Sequence, residues 1–378
     1  MSKPHVRKGS SRSLDPVVAA RELSEAVADP EASLVVFYCS PMYDLHALGR
    51  EIASRFRGIQ VVGCTTAGEI TPAGYLQGSL TGVSIGGPGL RAASGRIGSL
   101  ADFKFARGAA LGESLLNELS RTGAVPTGKT AFGFLLVDGL SMQEEALVSS
   151  LYRSLGDIPL FGGSAGDGTR FQQTYIYHDG AFHADSAVFT VVETDYPFLV
   201  FKTQHFVSGA EKMVVTEANP SQRVVTEING EPAGREYARM VGLEVDKLTP
   251  MIFSAHPVVV TIGGETYVRS IQKVNEDESL TFFCAIEKGI VLTVARGVDL
   301  VENLEEAFQS VREQIGPPQL ILGCDCILRN LEADQRGLLD KIGALMQANN
   351  VIGFATYGEQ YNAMHVNQTF TGVAIGGA

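Results

Sequence analysis

Apolar runs alternate with amphipathic stretches along the chain, a pattern that predicts strands followed by helices. Residues 34–40 (LVVFYCS) are rich in β-branched and aromatic side chains and predict a strand, and the amphipathic stretch 45–56 predicts a helix after it. The same order recurs in 319–326 and 334–349. This recurrence indicates that the chain is built from similar units.

The strongest pattern is an internal repeat. Residues 61–87 align without a gap with residues 351–377, and 12 of the 27 positions are identical. Both copies contain a Gly-Glu pair behind the first apolar run, and both end in TGV-x-IGG. Each copy therefore predicts a second strand that ends in a glycine turn. We expect 34–87 and 319–377 to share one strand–helix–strand topology.

A fainter third copy lies between the other two. Residues 130–139 predict a strand, 144–156 predict a helix, and 159–168 resemble the glycine turn with one residue deleted. A strand–helix–strand unit implies parallel pairing, whereas the His-Asp-Gly turn at 178–180 predicts an antiparallel hairpin. The predicted class is therefore α/β, a mixed-sheet two-domain protein built from repeated strand–helix–strand units.

The predicted domain boundary falls within the polar, turn-rich segment 205–222. Residues 1–30 are expected to form a disordered tail, because their basic stretch is typical of a solvated segment. The body is expected to divide into 31–215 and 216–378, with the last repeat unit at 319–377.

Composition and charge narrow the class of protein. A formal net charge of −12 argues against a general nucleic-acid binder. Apolar runs stay below the ~18 residues of a membrane span, and the first residues lack the apolar core of a signal peptide. Five cysteines, an odd number, do not suggest a disulfide framework. We therefore expect a cytoplasmic protein that contacts neither nucleic acid nor membrane.

Several motifs, taken in order, carry a family resemblance. They are GCTTAGEITPAGYLQGSLTGVS (63–84), FGGSAGD (161–167), VVTEINGEPAGREY (224–237), IGFATYGE (352–359) and HVNQT (365–369). From about residue 30 onward, the chain resembles the FIST sensory-domain family. The resemblance implies a FIST N domain, a FIST C domain, and ligand sensing coupled to signal transduction.

A narrower resemblance concerns residues 363–377 (AMHVNQTFTGVAIGG), which are similar to the NosP group of FIST proteins. It implies bound haem b, nitric oxide as the ligand, and regulation of a partner histidine kinase in two-component signalling. The sequence shows no kinase, cyclase or DNA-binding motif, so the output is expected to pass to that partner. The oligomeric state stays open, a homodimer included.

His365 is the candidate metal ligand, because it stands where the first repeat copy has Tyr75. If 365–375 is one strand, His365, Asn367 and Thr369 lie on one face. The resemblance then implies His365 as the axial iron ligand, with Asn367 and Thr369 as polar neighbours of the haem. The alternative is a hydrogen-bonded histidine in a turn.

Two further candidates lie at the end of the strand 319–326. Arg329 could pair with a haem propionate, since a guanidinium suits carboxylates, or it could form a salt bridge. Cys324 and Cys326 could be a soft-metal or redox pair, but buried thiols are the favoured interpretation. Ser164, in GGSAG, is not followed by a predicted helix, so hydrolase chemistry is not expected. The chain is expected not to be an enzyme, with an enzyme of unknown reaction and a purely structural scaffold as the rival interpretations.

Glu69, Glu359 and Asp167 occupy matching repeat positions. Each carboxylate could meet a ligand amine or close its turn by accepting backbone N–H bonds, and recurrence favours the structural role.

The alternative to a haem-based sensor follows from the same turns. A FIST sensor for a small metabolite such as an amino acid, without haem, would use the acidic and threonine-rich turns to line its pocket.

Overall fold

Three of the four sheets follow one plan in the computed structural model, which describes residues 3–121 and 123–377. The plan is an edge strand, a helix, a central strand, a helical connection, a parallel strand, a short hairpin and a return strand. We name the three copies and the additional segment as follows: unit 1 (5–86), unit 2 (90–194), unit 3 (198–203 and 300–376) and the insert (206–297).

Unit 1 shows how the sequence pattern builds the plan. Its elements are β1 (His5–Ser11), α1 (Pro16–Val27), β2 (Ala32–Cys39), α2 (Leu45–Arg55), β3 (Gln60–Thr65), β4 (Glu69–Thr71), β5 (Gly74–Leu76) and β6 (Leu80–Gly86). The apolar strand β2 lies between its parallel neighbour β3 and antiparallel β6. Asp44 caps α2, which buries Leu48 and Ile52. Both faces of β2 are buried, so the strand needs the continuous apolar run seen at 34–39.

Unit 2 repeats the plan in the middle of the chain. Its elements are β7 (Leu90–Gly98), α3 (Phe105–Ser120), β8 (Ala131–Val137), α4 (Glu144–Leu155), β9 (Leu160–Ser164), β10 (Ile176–His178), β11 (Ala181–His183) and β12 (Ser186–Thr194). Strand β8 lies between parallel β9 and antiparallel β12, as β2 lies between β3 and β6.

Unit 3 is interrupted by the insert, which has an antiparallel sheet and a core of its own. Unit 3 begins with β13 (Phe198–Thr203). The insert contains β14 (Phe206–Asn219), β15 (Val224–Ile228), β16 (Glu231–Pro232), α5 (Ala233–Val241), α6 (Pro250–Ala255), β17 (Val258–Ile262), β18 (Glu265–Arg269), β19 (Ile271–Val274), β20 (Leu280–Phe282) and β21 (Val291–Gly297).

The rest of unit 3 follows the insert. It consists of α7 (Leu300–Ile315), β22 (Pro318–Cys326), α8 (Ile327–Gln335), α9 (Leu339–Ala348), β23 (Val351–Thr356), β24 (Glu359–Tyr361), β25 (Met364–Val366) and β26 (Phe370–Gly376). Strand β22 is parallel to β23 and antiparallel to β26. Across 3–121 and 123–377, no helix is long and apolar enough to cross a membrane.

The short hairpins are exchanged between units in a cycle. The hairpin β4–β5 of unit 1 pairs with β23 of unit 3, β24–β25 pairs with β9 of unit 2, and β10–β11 pairs with β3 of unit 1. Each hairpin places one residue opposite an equivalent glycine, in the pairs Ile70–Gly353, Gln360–Gly162 and Tyr177–Gly63. The exchange joins the three sheets around one shared core, to which Val36, Phe134 and Leu322 belong.

The predicted repeat is confirmed. Residues 34–87 and 319–377 have the same order of strands and the same pairing pattern, with their Gly-Glu turns in equivalent places. The mixed α/β class is confirmed as well, because units 1 to 3 combine parallel and antiparallel neighbours.

The expectation of a disordered tail at 1–30 is wrong for the part that the structure describes. Strand β1 pairs with β6 along its whole length, and α1 follows with Asp15 as its N-cap and Pro16 in the first turn. β1 is an edge strand, so its basic side chains reach solvent while its backbone extends the sheet. Residues 5–27 are therefore the edge strand and first helix of unit 1. Met1 and Ser2 lie outside the described residues.

Candidate functional site

The glycine turns of the three units meet at the carboxyl ends of the parallel strands. We call residues 65–69, 164–168 and 355–359 the turn ring. Backbone bonds connect its members in pairs: Gly166 N to Thr65 O (3.0 Å), Ala67 N to Ala355 O (2.9 Å) and Ser164 N to Gly358 O (2.8 Å). In α/β proteins, the carboxyl ends of parallel strands are the preferred place for ligands. The turn ring is therefore the candidate site region.

A cleft of 390 Å³, which we call the first cleft, opens between the turns of units 1 and 2. Its walls come from the end of β2 and from the two turns. The lining includes Ser40, Met42, Thr66, Glu69, Gln77, Asp167, Thr169 and Arg170. The accessible surface of this cleft is mainly apolar, with a few hydroxyl, amide and carboxylate groups set into it, and the volume suits a small molecule.

Glu69 lies almost fully buried beside the first cleft. One carboxylate oxygen accepts a bond from the Thr66 hydroxyl (2.5 Å), and the other accepts bonds from the Ser79 backbone N (3.0 Å) and hydroxyl (2.7 Å). Burial raises the pKa of Glu69, and these bonds oppose the rise only in part. Glu359 binds Thr369 N (3.1 Å) and its hydroxyl (2.6 Å) in the same way.

Asp167 closes the turn of unit 2. Its carboxylate accepts bonds from the backbone N–H groups of residues 171, 172 and 173 and from the Tyr357 hydroxyl. Burial alone would raise the pKa of Asp167, but these bonds lower it below its ordinary value. The interpretation of the three acids as turn-closing groups is confirmed. Glu69 and Asp167 also line the first cleft, as the metabolite alternative expected.

Glu359 provides a test of this electrostatic picture. Burial raises the pKa of Glu359 well above its ordinary value, so its ionisation favours the unfolded chain. Wild type and Glu359→Gln should be equally stable at low pH, where both folded and unfolded chains carry the proton. As pH rises through the ordinary carboxyl range, wild type should lose stability relative to the variant. Each tenfold change in ionisation is worth about 1.4 kcal/mol.

Asp167→Asn is the matched control, because the lowered pKa of Asp167 gives the opposite sign. Its carboxylate stabilises the fold above the ordinary carboxyl pKa, and that stabilisation disappears as pH falls. Urea unfolding of the three proteins across acid and neutral pH measures both effects. Parallel curves for wild type and Glu359→Gln would mean that Glu359 ionises normally.

The predicted continuous strand 365–375 is wrong. Strand β25 ends at Val366, β26 begins at Phe370, and Gln368 between them has a φ of 51°. Unit 1 has the same break, where Gly78 has a φ of 70°. The expected common face of His365, Asn367 and Thr369 is therefore lost.

The structure separates the predicted site residues into different environments. His365 is 3% exposed, and Asn367 is fully buried with neither side-chain amide atom hydrogen-bonded among the described residues. Thr369 binds Glu359, as given above. Arg329 is 2% exposed on α8 and donates to Asp325 (2.8 Å), with His205 Nδ1 3.0 Å from a second guanidinium nitrogen. The Tyr75 hydroxyl also reaches Asp325, so the counterpart of His365 lies at the Arg329 cluster.

The surroundings of His365 do not fit a haem in this arrangement. Its Nδ1 lies 3.4 Å from the Gln360 amide, and a Cβ built on Gly358 would lie 2.9 Å from its Nε2. Its backbone oxygen accepts a bond from Arg269 (2.9 Å). Burial lowers the pKa of His365, and the charges of Glu145 and its neighbours modify this effect. An axial ligand needs a ring nitrogen facing an apolar slot, whereas here Nδ1 lies beside the Gln360 amide and the ring packs closely against Gly358.

The cysteines are buried thiols, as favoured from the sequence. Burial raises the pKa of Cys324 and Cys326 well above the ordinary value, and nearby Glu359 adds to the rise. A protonated thiol is a poor nucleophile and metal ligand. Among the described residues, no group of three His, Cys, Asp or Glu side chains could hold a metal ion.

Sequence reasoning did not single out Arg170, Gln77 or Met42, which complete the first cleft. Gln77 was within reach, because it lies inside the repeat between two turn-forming segments. Arg170 and Met42 follow strand ends in loops whose placement depends on the neighbouring unit. Their side chains meet only because the three units assemble into the turn ring.

The three repeated units around the turn ring define a mixed α/β protein, and the family comparisons identify its family. The model of the FIST N domain matches residues 33–231, and that of the FIST C domain matches residues 233–362. The chain belongs to the FIST family, whose domains suggest a sensor role in signalling. No curated protein matches the chain. The division at residues 215 and 216 stays a prediction.

Proposed function

We propose that this chain is a non-enzymatic, cytoplasmic sensor that binds a small amine-bearing metabolite, such as an amino acid, in the first cleft. The observation that carries the proposal is the pairing of two buried carboxylates with a guanidinium in one cleft. Glu69 and Asp167 are 1% and 2% exposed, whereas the Arg170 side chain is 54% exposed. Arg170 Nε lies 4.0 Å from an Asp167 carboxylate oxygen.

This arrangement suits a zwitterion. The ligand ammonium would lie towards Glu69 and Asp167, and its carboxylate towards Arg170, which is suited to planar carboxylates. Hydroxyl groups of Ser40, Thr66 and Thr169 add hydrogen-bonding capacity. Burial raises the pKa of Glu69, and only the ionised carboxylate attracts a cation, so an ammonium ligand should bind more tightly as pH rises through that pKa.

Thermal unfolding with each proteinogenic amino acid tests the proposal. We expect one chemical group of amino acids to raise the melting temperature, since a ligand at 100 times its Kd stabilises the fold by about 2.7 kcal/mol. Arg170→Ala should abolish the rise, and Arg50→Ala, an exposed arginine on α2, should preserve it. The proposal fails if no amino acid raises the melting temperature, or if Arg170→Ala responds like wild type.

Haem b with nitric oxide as ligand stays the other candidate, supported by the resemblance of the last repeat and not by the packing of His365. A haem protein would show a Soret band after expression with a haem precursor, and His365→Ala would lose this band, whereas the control variants His205→Ala and His256→Ala would keep it.

A partner histidine kinase is proposed for either ligand. Ligand-dependent autophosphorylation in a mixture of the two purified proteins would support it, and equal activity in every mixture would exclude it.

A further inference from the structure

A second cleft, of 280 Å³, occupies the matching place one unit further round the turn ring. The first cleft begins at Ser40–Met42, which follow β2, and the second begins at Gly139–Met142, which follow β8. Here the insert supplies the opposite wall. The residues that carry the argument are Met142, Phe171, Arg223, Lys273, Phe283 and Tyr357.

The walls of the second cleft are aromatic, unlike those of the first. Phe171 stacks on Tyr357 with ring centroids 4.5 Å apart and planes 24° apart, and its centroid lies 6.2 Å from that of Phe283. Phe171 is still 38% exposed. A partly exposed ring in an aromatic cluster provides a surface on which another flat ring can pack.

Three large residues of this cleft have left-handed backbones. Met142, Phe171 and Arg223 have φ values of 56°, 53° and 56°. Side chains of this size rarely adopt that region, because the Cβ approaches the backbone carbonyl. The three residues come from separate loops and meet at one cavity. Backbone strain of this kind concentrates at ligand sites, where the surrounding structure maintains it.

The charges of the cleft leave one cation without a partner. Arg223 is buried and pairs with Glu144 (2.6 Å) and Glu145 (2.8 Å), so its charge is already matched. Lys273, at the mouth, is exposed, and none of the ion pairs within 3–121 and 123–377 includes it. The cleft therefore combines an aromatic wall with a free ammonium.

We propose that the second cleft binds a planar aromatic carboxylate, with its ring against Phe171 and Phe283 and its acid group near Lys273. The site is separate from the first cleft and needs no amine on the ligand. Phe171 belongs to unit 2, and Phe283 and Lys273 belong to the insert. A ligand between them would therefore couple the position of the insert to the occupancy of the cleft.

Calorimetric titration with naphthoate, and with neutral naphthamide as the comparison probe, tests the site. Phe171→Gly should weaken naphthoate binding at least tenfold. Its fold should be retained, because glycine relieves the left-handed backbone at this position. Lys273→Gln should weaken naphthoate several-fold and leave naphthamide unchanged. Phe105→Gly and Lys104→Gln, at exposed neighbouring positions outside the cleft, serve as controls, with Phe105→Gly checked for folding by its melting curve.

Each outcome decides the proposal independently of the amino-acid test. Naphthoate binding that survives in Arg170→Ala but is lost in Phe171→Gly assigns it to the second cleft. Equal naphthoate affinity in wild type and Phe171→Gly overturns the proposal, as does an absence of naphthoate binding in wild type. If Lys273→Gln weakens the binding of naphthoate and of naphthamide equally, the placement of the ligand's carboxylate near Lys273 is overturned.

Discussion

Arg329→Met is expected to lower the free energy of unfolding by about 3 to 5 kcal/mol, the usual cost of breaking a buried ion pair from one side. Arg329 and Asp325 are 2% and 3% exposed, and their charged groups lie 2.8 Å apart. Methionine leaves the Asp325 carboxylate buried without its cation, and it also removes the group beside His205 Nδ1. Urea unfolding monitored by circular dichroism measures the loss.

Two variants separate this cause from a general effect on α8. Arg336→Met removes another i,i+4 ion pair, between Glu332 of α8 and the residue that follows the helix, but the Arg336 side chain is 51% exposed and the cost should stay below about 1 kcal/mol. The double variant Asp325→Asn/Arg329→Met removes both buried charges and should recover much of the lost stability. A loss in Arg329→Met no larger than in Arg336→Met would contradict a structural role for the buried pair.

The hydrophobic pattern and the internal repeat predicted the centre of each unit. The apolar runs predicted β2, β8 and β22, and the glycine turns predicted the ends of β3 and β23. Neither signal indicated the edge strands β1, β7 and β13. β1 is an edge strand, and most of its side chains are at least partly exposed, so its sequence shows little apolar alternation. Its backbone hydrogen-bond partners come from β6 alone. The sequence of β1 could therefore not be distinguished from that of a solvated tail.

The hairpin exchange was beyond the reach of the sequence. Strands β4, β5, β24 and β25 have three residues each, and such short strands carry little information about the sheet they join. A local hairpin and an exchanged one have the same sequence. The exchange moves His365 onto the sheet of unit 2 and Tyr75 onto the sheet of unit 3.

The candidate site was predictable in part. The acidic and threonine-rich turns were recognisable as repeated chemistry, and the structure places Thr66, Glu69 and Asp167 in one cleft. The aromatic second cleft had no sequence signal. Phe171, Phe283 and Tyr357 are more than 70 positions apart in the chain and meet because the insert folds back over unit 2.

A glycine on the second parallel strand explains why the two parallel strands pair in the same register in all three units. In each unit, the second parallel strand carries a glycine whose added Cβ would collide with a carbonyl oxygen of the first strand. The distances are 2.5 Å from Gly63 to Phe37 O, 2.1 Å from Gly162 to Leu135 O and 2.0 Å from Gly353 to Gly323 O. These are also the residue partners in the three parallel ladders. The glycines therefore permit a close approach of two backbones in the shared core.

Gly353→Ala should consequently lower the free energy of unfolding by about 3 kcal/mol, at the upper end of the usual cost of overpacking. The obstacle is a backbone oxygen within a parallel ladder, which cannot rotate away as a side chain could, so relief requires β22 and β23 to separate. Gly297→Ala is the matched control in a strand. A Cβ there would lie 3.5 Å from Phe206 Cε1, an ordinary contact, and the change should stay within about 0.5 kcal/mol. Equal stability of the two variants in urea would show that the close approach of β22 and β23 does not constrain the fold.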